Sequence, residues 1–306
     1  MNILFMGTPD IAAAALEAIL DAGHTVCGVY TRADKPVGRK QVLTAPPVKR
    51  TAMAHGIPVF QPGTLRDAAQ AENIRALAPE LIVVVAYGRI LPEDILAAPK
   101  LGSINVHSSL LPKYRGAAPI NWAVLNGDAV TGVTIMYMAK ELDAGDIISA
   151  AETPIDPDED ALTLTNRLAE LGAETLSRTV QALAAGTAGR TKQDESAVTF
   201  APMLSRELPP MDFTRPARSL HDQVRGLQPW PCAVTELSGA TVKVYRTAVG
   251  GAVKAAPGTI VRADKTGIEI ACGDGRTLRI LELQPQNGKR MAVASYLAGH
   301  PVQVTV

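Results

Sequence analysis

Asn105 and His107 carry the plainest chemistry in this sequence. They stand two apart in GSINVHSS (102–109), so in a strand they project from one face while Val106 packs on the other. The run ends in a Leu-Leu-Pro turn, which places both residues at a strand's C-terminal end, where open α/β sheets hold their ligands. A carboxamide beside an imidazole can donate to a developing oxyanion and move a proton in one step. The same two side chains could equally hydrogen-bond the loop that follows the strand, and the spacing alone leaves both readings open.

A carboxylate for that imidazole occurs in KELDAGD (140–146), just past the apolar run GVTIMYM (132–138). Asp143 sits in a turn beside Gly145, and two strand ends of a doubly wound sheet can converge on one crevice. A carboxylate partner would fix the tautomer and orientation of the ring. Asp143 could also be only a turn former, and Asp146 could equally be the acid. Other chemistries lack their residues. No GxSxG or HExxH occurs, and Cys27, Cys232 and Cys272 form no CxxC pair, so neither an acyl-enzyme nor a metal centre is expected. The opening GTPDIAA has one glycine where a dinucleotide fingerprint needs three, so no nicotinamide is expected either.

The elements around these residues alternate. NILFMG (2–7), TVCGVY (25–30), IPVF (57–60), LIVVVAY (81–87), GSINVHSS, GVTIMYM and DIISAAET (146–153) read as strands. Helices are expected over 9–22, 65–77 with Thr64 as N-cap, and 160–185. Strands interleaved with helices predict an α/β, doubly wound, mostly parallel sheet. Residues 187–207 are polar and aperiodic, as a linker would be. Beyond a short helix near 216–226, short alternating strands between Gly and Asp turns predict a small antiparallel β-barrel. The segmentation is thus a Rossmann-like catalytic domain over 1–186, a linker over 187–207 and a C-terminal barrel over 208–306.

Thirty basic and thirty acidic side chains give a formal net charge of zero, which excludes a uniformly basic nucleic-acid binder. The distribution is uneven: residues 1–207 sum to −5 and residues 208–306 to +5. Within the acidic part, residues 31–50 hold Arg32, Lys35, Arg39, Lys40, Lys49 and Arg50 against the single acid Asp34. Any one of these is ordinarily a solvated surface charge, but together they form a basic loop suited to phosphates. With aromatic residues at 4%, backbone contacts rather than base stacking should set affinity. Trp122 reads as a packing residue and Trp230 as a domain anchor, while His24, His55, His221 and His300 show no partner in sequence. No basic leader, Arg-rich presequence or membrane-spanning apolar run is read, and the odd cysteine count fits reduced thiols, so a cytoplasmic setting is expected.

Several stretches together resemble the folate-dependent formyltransferases: INVHSSLLPKYRGAAPI with GVTI and LDAGDI, then FMGTPD, TRADKPVGRKQVLTAPPVK, APMLSRE, LQPWP and GDGRTLRILELQPQNGKRM. The resemblance spans nearly the whole chain. The 31–49 loop points to the branch that acts on the initiator methionyl-tRNA. It implies that Asn105, His107 and Asp143 form the catalytic set. Ser109, Leu110, Leu111 and Pro112, with the backbone of Tyr87, Gly88, Arg89, Ile90 and Leu91, would hold the folate. Lys35, Arg39, Lys40, Lys49 and Arg50 would meet the acceptor arm of the tRNA. The implied co-substrate is 10-formyltetrahydrofolate, with no metal and no nicotinamide, and a monomer supporting translation initiation. The alternatives are a nucleotide-aminosugar N-formyltransferase with the same donor, a formyltetrahydrofolate hydrolase, and a noncatalytic RNA-binding module.

Overall fold

The computed structural model describes residues 1–38 and 40–305. Its main sheet is built from β1 (Asn2–Gly7), β2 (Thr25–Tyr30), β3 (Val59–Phe60), β4 (Leu81–Val85), β5 (Ser103–His107), β6 (Val130–Tyr137) and β7 (Ile147–Pro154). The strand order is β7-β6-β5-β4-β1-β2-β3. The pairs β1–β2, β1–β4, β2–β3 and β4–β5 are parallel. All five residues of β4, LIVVV, are buried, as expected of a central strand covered on both faces. One row of in-register partners crosses the sheet through Tyr30, Met6, Val84, Asn105 and Met136. Asn105 therefore shares a sheet face with the apolar cluster of Leu4, Met6, Tyr30, Val84, Tyr87 and Leu91.

One pairing departs from the expected geometry. β5 and β6 are antiparallel, with Ile104 opposite Tyr137 and His107 opposite Thr134. The end of β6 that leads to Asp143 thus lies beside the start of β5, away from His107. Two C-terminal strand ends do not converge here, and the loop after β6 must return toward His107 by itself.

The helices in chain order are α1 (Asp10–Asp21), α2 (Pro47–Ala54), α3 (Ala68–Ala76), α4 (Glu93–Leu96), α5 (Pro119–Leu125), α6 (Ala161–Ala185), α7 (Ala217–Gly226) and α8 (Val293–Leu297). The third begins later than the periodicity predicts. Asp67 is its N-cap and accepts from Ala69 N at 3.1 Å, whereas Thr64 closes a preceding turn by accepting from Arg66 N at 3.1 Å. A carboxylate at the N-cap also meets the positive end of the helix dipole, which favours that start.

A second, antiparallel sheet follows: β8 (Ala233–Leu237), β9 (Ala240–Ala252), β10 (Ile260–Asp264), β11 (Gly267–Ala271) and β12 (Arg276–Pro285), in the order β8-β9-β12-β11-β10. Residues Met291–Ala292 pair with β12. Its core holds Leu237, Val244, Ile268, Ile280, Leu283 and Tyr296. The chain divides into two compact units. The first comprises Met1–Gly116, Thr131–Thr153 and Thr165–Phe200; the second comprises Ala117–Val130, Pro154–Leu164 and Ala201–Val306. The second unit therefore includes α5 and a turn from the N-terminal half. Asn121 of α5 donates to Gly226 O at 2.8 Å at the end of α7.

Within the second unit α7 holds the 156–159 turn through buried polar groups. Arg225 donates to Glu159 O at 2.8 Å and pairs with Asp222, also at 2.8 Å. His221 contacts Thr247 Oγ1 at 2.9 Å and Pro157 O at 3.2 Å, a pattern that a neutral ring satisfies. Burial pushes its pKa below the usual 6.5 despite the nearby Asp158 carboxylate. The unfolded chain takes up this proton near 6.5 and the folded chain only at lower pH, so stability falls as pH drops below 6.5. Urea unfolding should show the loss between about pH 7 and pH 5, and His221→Gln should flatten it. Parallel curves for the two proteins would remove His221 as the cause.

Candidate functional site

Strand β5 aims Asn105 and His107 to one face, while Val106 packs toward α6, where it approaches Gly172. The Asn105 carboxamide is half-buried, and no side-chain hydrogen bond ties it to another of the described residues. The His107 ring is 5% exposed. Its Nε2 lies 2.9 Å from Tyr114 O, and since a carbonyl only accepts, Nε2 carries a hydrogen. Nδ1 faces Asp143 Oδ2 at 3.6 Å. That exceeds direct hydrogen-bond reach, so the two groups interact electrostatically at this spacing. The alternative of a ring bonded to its following loop is thus met at one nitrogen and not at the other.

Asp143 arrives by a tight return. The backbone of Gly145 passes so close to β6 that a Cβ there would lie 1.7 Å from Tyr137 O. Asp143 itself has φ +51, a left-handed conformation that costs a non-glycine residue energy unless its surroundings impose it. Its Oδ2 accepts from Gly116 N at 2.8 Å. Asp146, the other candidate acid, accepts from Arg190 Nε at 2.6 Å and is committed to that ion pair.

The Leu-Leu-Pro turn is fastened by Thr134 of β6, a residue that no motif or spacing singles out. Its hydroxyl donates to Ser109 O at 2.7 Å and accepts from Leu111 N at 3.1 Å. Ser109 Oγ in turn donates to Lys113 O at 2.6 Å, so this hydroxyl stabilises the turn. Leu111 is buried, while Leu110 and Pro112 are half-buried. In the 87–91 segment Tyr87 and Leu91 point into the core at 1% and 5% exposure. Ile90 is 83% exposed and Gly88 adopts φ +76. Arg89 is half-buried, with Nε buried and unpartnered. Thr8 Oγ1 and Arg32 Nη1 anchor the segment by donating to Tyr87 O at 3.3 Å and Gly88 O at 3.0 Å.

The basic loop forms a short hairpin, Lys35–Val37 paired antiparallel with Val42–Thr44. Lys35, Lys40 and Arg50 are exposed, and Arg39 lies outside the described residues. Lys49 behaves differently from the charge count. Its Nζ lies 2.9 Å from Asp34 and 3.0 Å from Gln61 Oε1, so it braces the loop from inside. Those partners, Gln61 first and then Lys49, hold the Asp34 carboxyl below its usual range. Val37, Val42 and Leu43 add exposed apolar surface to the same hairpin.

Among the described residues, no group of three or more His, Cys, Asp or Glu side chains is arranged to hold a metal ion. No described helix is long and apolar enough to cross a membrane. The fold has close counterparts. An N-formyltransferase from Helicobacter canadensis, solved with folinic acid and dTDP-3-aminofucose, superposes with a TM-score of 0.68. It shares 19% identity over 93% of this chain and 99% of that one. The formyl transferase family model matches residues 1–180, and the formyl transferase C-terminal domain model matches 204–301.

The chain belongs to the formyl transferase family. Within it, relatives that match over nearly the whole chain include methionyl-tRNA formyltransferases. That of Trichlorobacter lovleyi is 49% identical over 98% of this chain and 95% of its own length. That of Geobacter sulfurreducens is 48% identical over 98% and 94%.

Gly145 offers a test of the return loop. A Cβ there must displace either the loop or β6, and overlaps of this kind cost about 1–3 kcal/mol. Gly145→Ala should lower the melting temperature by several degrees and widen the His107–Asp143 gap in a crystal structure. A variant with the parental melting temperature and spacing would contradict the close approach.

Proposed function

We propose that this chain transfers the formyl group of 10-formyltetrahydrofolate to the α-amino group of methionyl initiator tRNA. Near-half identity to methionyl-tRNA formyltransferases over almost the entire chain carries this reading. The grouping of Asn105, His107 and Asp143 at one strand end supports it. The amine nitrogen attacks the formyl carbon and gives a tetrahedral intermediate with negative charge on the former carbonyl oxygen. The bond from carbon to the folate nitrogen then breaks, and the proton lost by the amine passes to that leaving nitrogen.

Asn105 suits the oxyanion because its amide hydrogens have no partner among the described residues. A donor already in place loses nothing to reorganisation as charge develops. His107, with Nε2 fixed on Tyr114 O, presents its Nδ1 edge toward Asp143 and carries the proton between the two nitrogens with that carboxylate. Gaps of this size in an unliganded site commonly tighten when substrate binds. The turn 109–112 and the backbone of 87–91 take the folate; with their side chains buried, Tyr87 and Leu91 can offer the pterin only their main chain. Lys35, Arg39, Lys40 and Arg50 meet the acceptor arm, and Lys49 supports their loop through Asp34.

Purified protein supplied with 10-formyltetrahydrofolate should formylate methionyl initiator tRNA and leave aminosugar nucleotides unmodified. Formyl transfer to the sugar in place of the tRNA would overturn the assignment. Asn105→Ala should fold and lose about 10²–10³ in turnover, and His107→Ala about 10²–10⁴. Near-parental rates in either would exclude these roles.

Lys35→Ala, Lys40→Ala and Arg50→Ala should each weaken tRNA binding and make it less salt-sensitive by roughly 0.7–0.9 in log–log slope per phosphate lost. A slope unchanged in all three would place the phosphate contacts elsewhere.

A further inference from the structure

The polar segment after α6 holds an arrangement that the reaction described above does not use. Gln193 is 9% exposed, and all of its hydrogen-bonding capacity is committed. Its Nε2 donates to both Asp143 O and Gly145 O at 2.8 Å. Its Oε1 accepts from Arg115 Nε at 3.0 Å and Nη2 at 2.8 Å. Arg115, itself 6% exposed, pairs with Glu195 at 2.8 Å and donates its backbone N–H to Thr199 O at 2.9 Å. The next residue, Gly116, donates to the Asp143 carboxylate.

Asp143 is therefore held twice. Gln193 grips its main chain from one side, Gly116 grips its carboxylate from the other, and Arg115 joins the two grips. The grip falls on the residue with the left-handed backbone and on the glycine pressed against Tyr137. The left-handed backbone of Asp143 carries an energetic cost that such a hold offsets. The residue type is specific as well. Glu at this position would set carboxylate oxygens against two carbonyls. Met would fill similar space but offer no donor, leaving both carbonyls without their partner at a cost greater than the bonds' net value.

We infer that Gln193 is a positioning residue for the reaction, locking the 138–146 return so that Asp143 stays opposite His107. This rests on the formyl-transfer reading for its catalytic consequence and on geometry alone for its structural one. The two are tested separately on the full-length protein. In Gln193→Met, kcat should fall about 10- to 100-fold while KM for both substrates stays within about twofold, the pattern of a lost orientation and not of lost binding. At a fixed pH, the ¹⁵N resonance of His107 Nδ1 should move in the direction seen in Asp143→Asn. Amide exchange at Tyr137, whose N–H donates to Asp146 O across the return, should quicken at least about tenfold.

Gln193→Glu keeps an acceptor for Arg115 while removing the donors, and it serves if the Met variant does not fold. The same changes are expected from it. A Glu variant with parental kcat, His107 resonance and loop exchange would show that Gln193 serves Arg115 alone and would overturn the inference. So would a folded Met variant that loses only melting temperature. If the parent protein formylates no tRNA yet the resonance and exchange effects appear, the functional reading fails while the positioning stands.

Discussion

Asp143 stands opposite His107 only because the chain reverses tightly between Tyr137 and Ile147. Since β6 runs against β5, the direction of the sheet carries the acid away from the imidazole. Everything that recovers it is local: a glycine small enough to graze Tyr137 O, a backbone turned into the left-handed region, and hydrogen bonds that prevent relaxation. The site is thus assembled from a rigid half and a restrained half. Asn105 and His107 are placed by strand geometry, which needs no further support. Asp143 is placed by contacts that must each be present.

The two halves differed in how readable they were. Period-two spacing put Asn105 and His107 on one face, and apolar runs such as LIVVV announced central strands, because burial and alternation are properties of neighbouring residues. Asp143 was picked out from its turn and from the resemblance, but the route expected for it was wrong. Nothing in GVTIMYM distinguishes a parallel from an antiparallel partner. Gln193 and Thr134 were not legible at all. One is a polar residue in an aperiodic stretch and the other a β-branched residue in a strand, and their work consists of contacts across 48 to 78 and 23 to 25 residues of chain respectively. Lys49 shows the same limit from the opposite side. Counting charge made it equivalent to Lys35 and Lys40, whereas its partners Asp34 and Gln61 turn it inward.

A similar division runs through the basic hairpin. Its outward charges are free to meet a polyanion, while its base is fixed by Lys49, Asp34 and Gln61, and the adjacent Arg32 grips Gly88 O. A loop clamped at its root presents charge without losing its place. The clamp also links the start of the basic loop to the 87–91 segment, so the surfaces proposed for acceptor and donor share a structural base within the first unit.

The second unit draws α5 and the 154–164 turn from early in the chain and packs α5 against α7. During synthesis, α5 leaves the ribosome well before its partner exists, because Leu125 ends the one helix and Ala217 begins the other. At translation rates of about 5–20 residues per second, the interval is roughly 5–20 s, far longer than a helix or a hairpin takes to form. For that time α5 lacks the helix it packs against in the finished protein. The interleaving thus delays this contact until the chain has grown past Gly226.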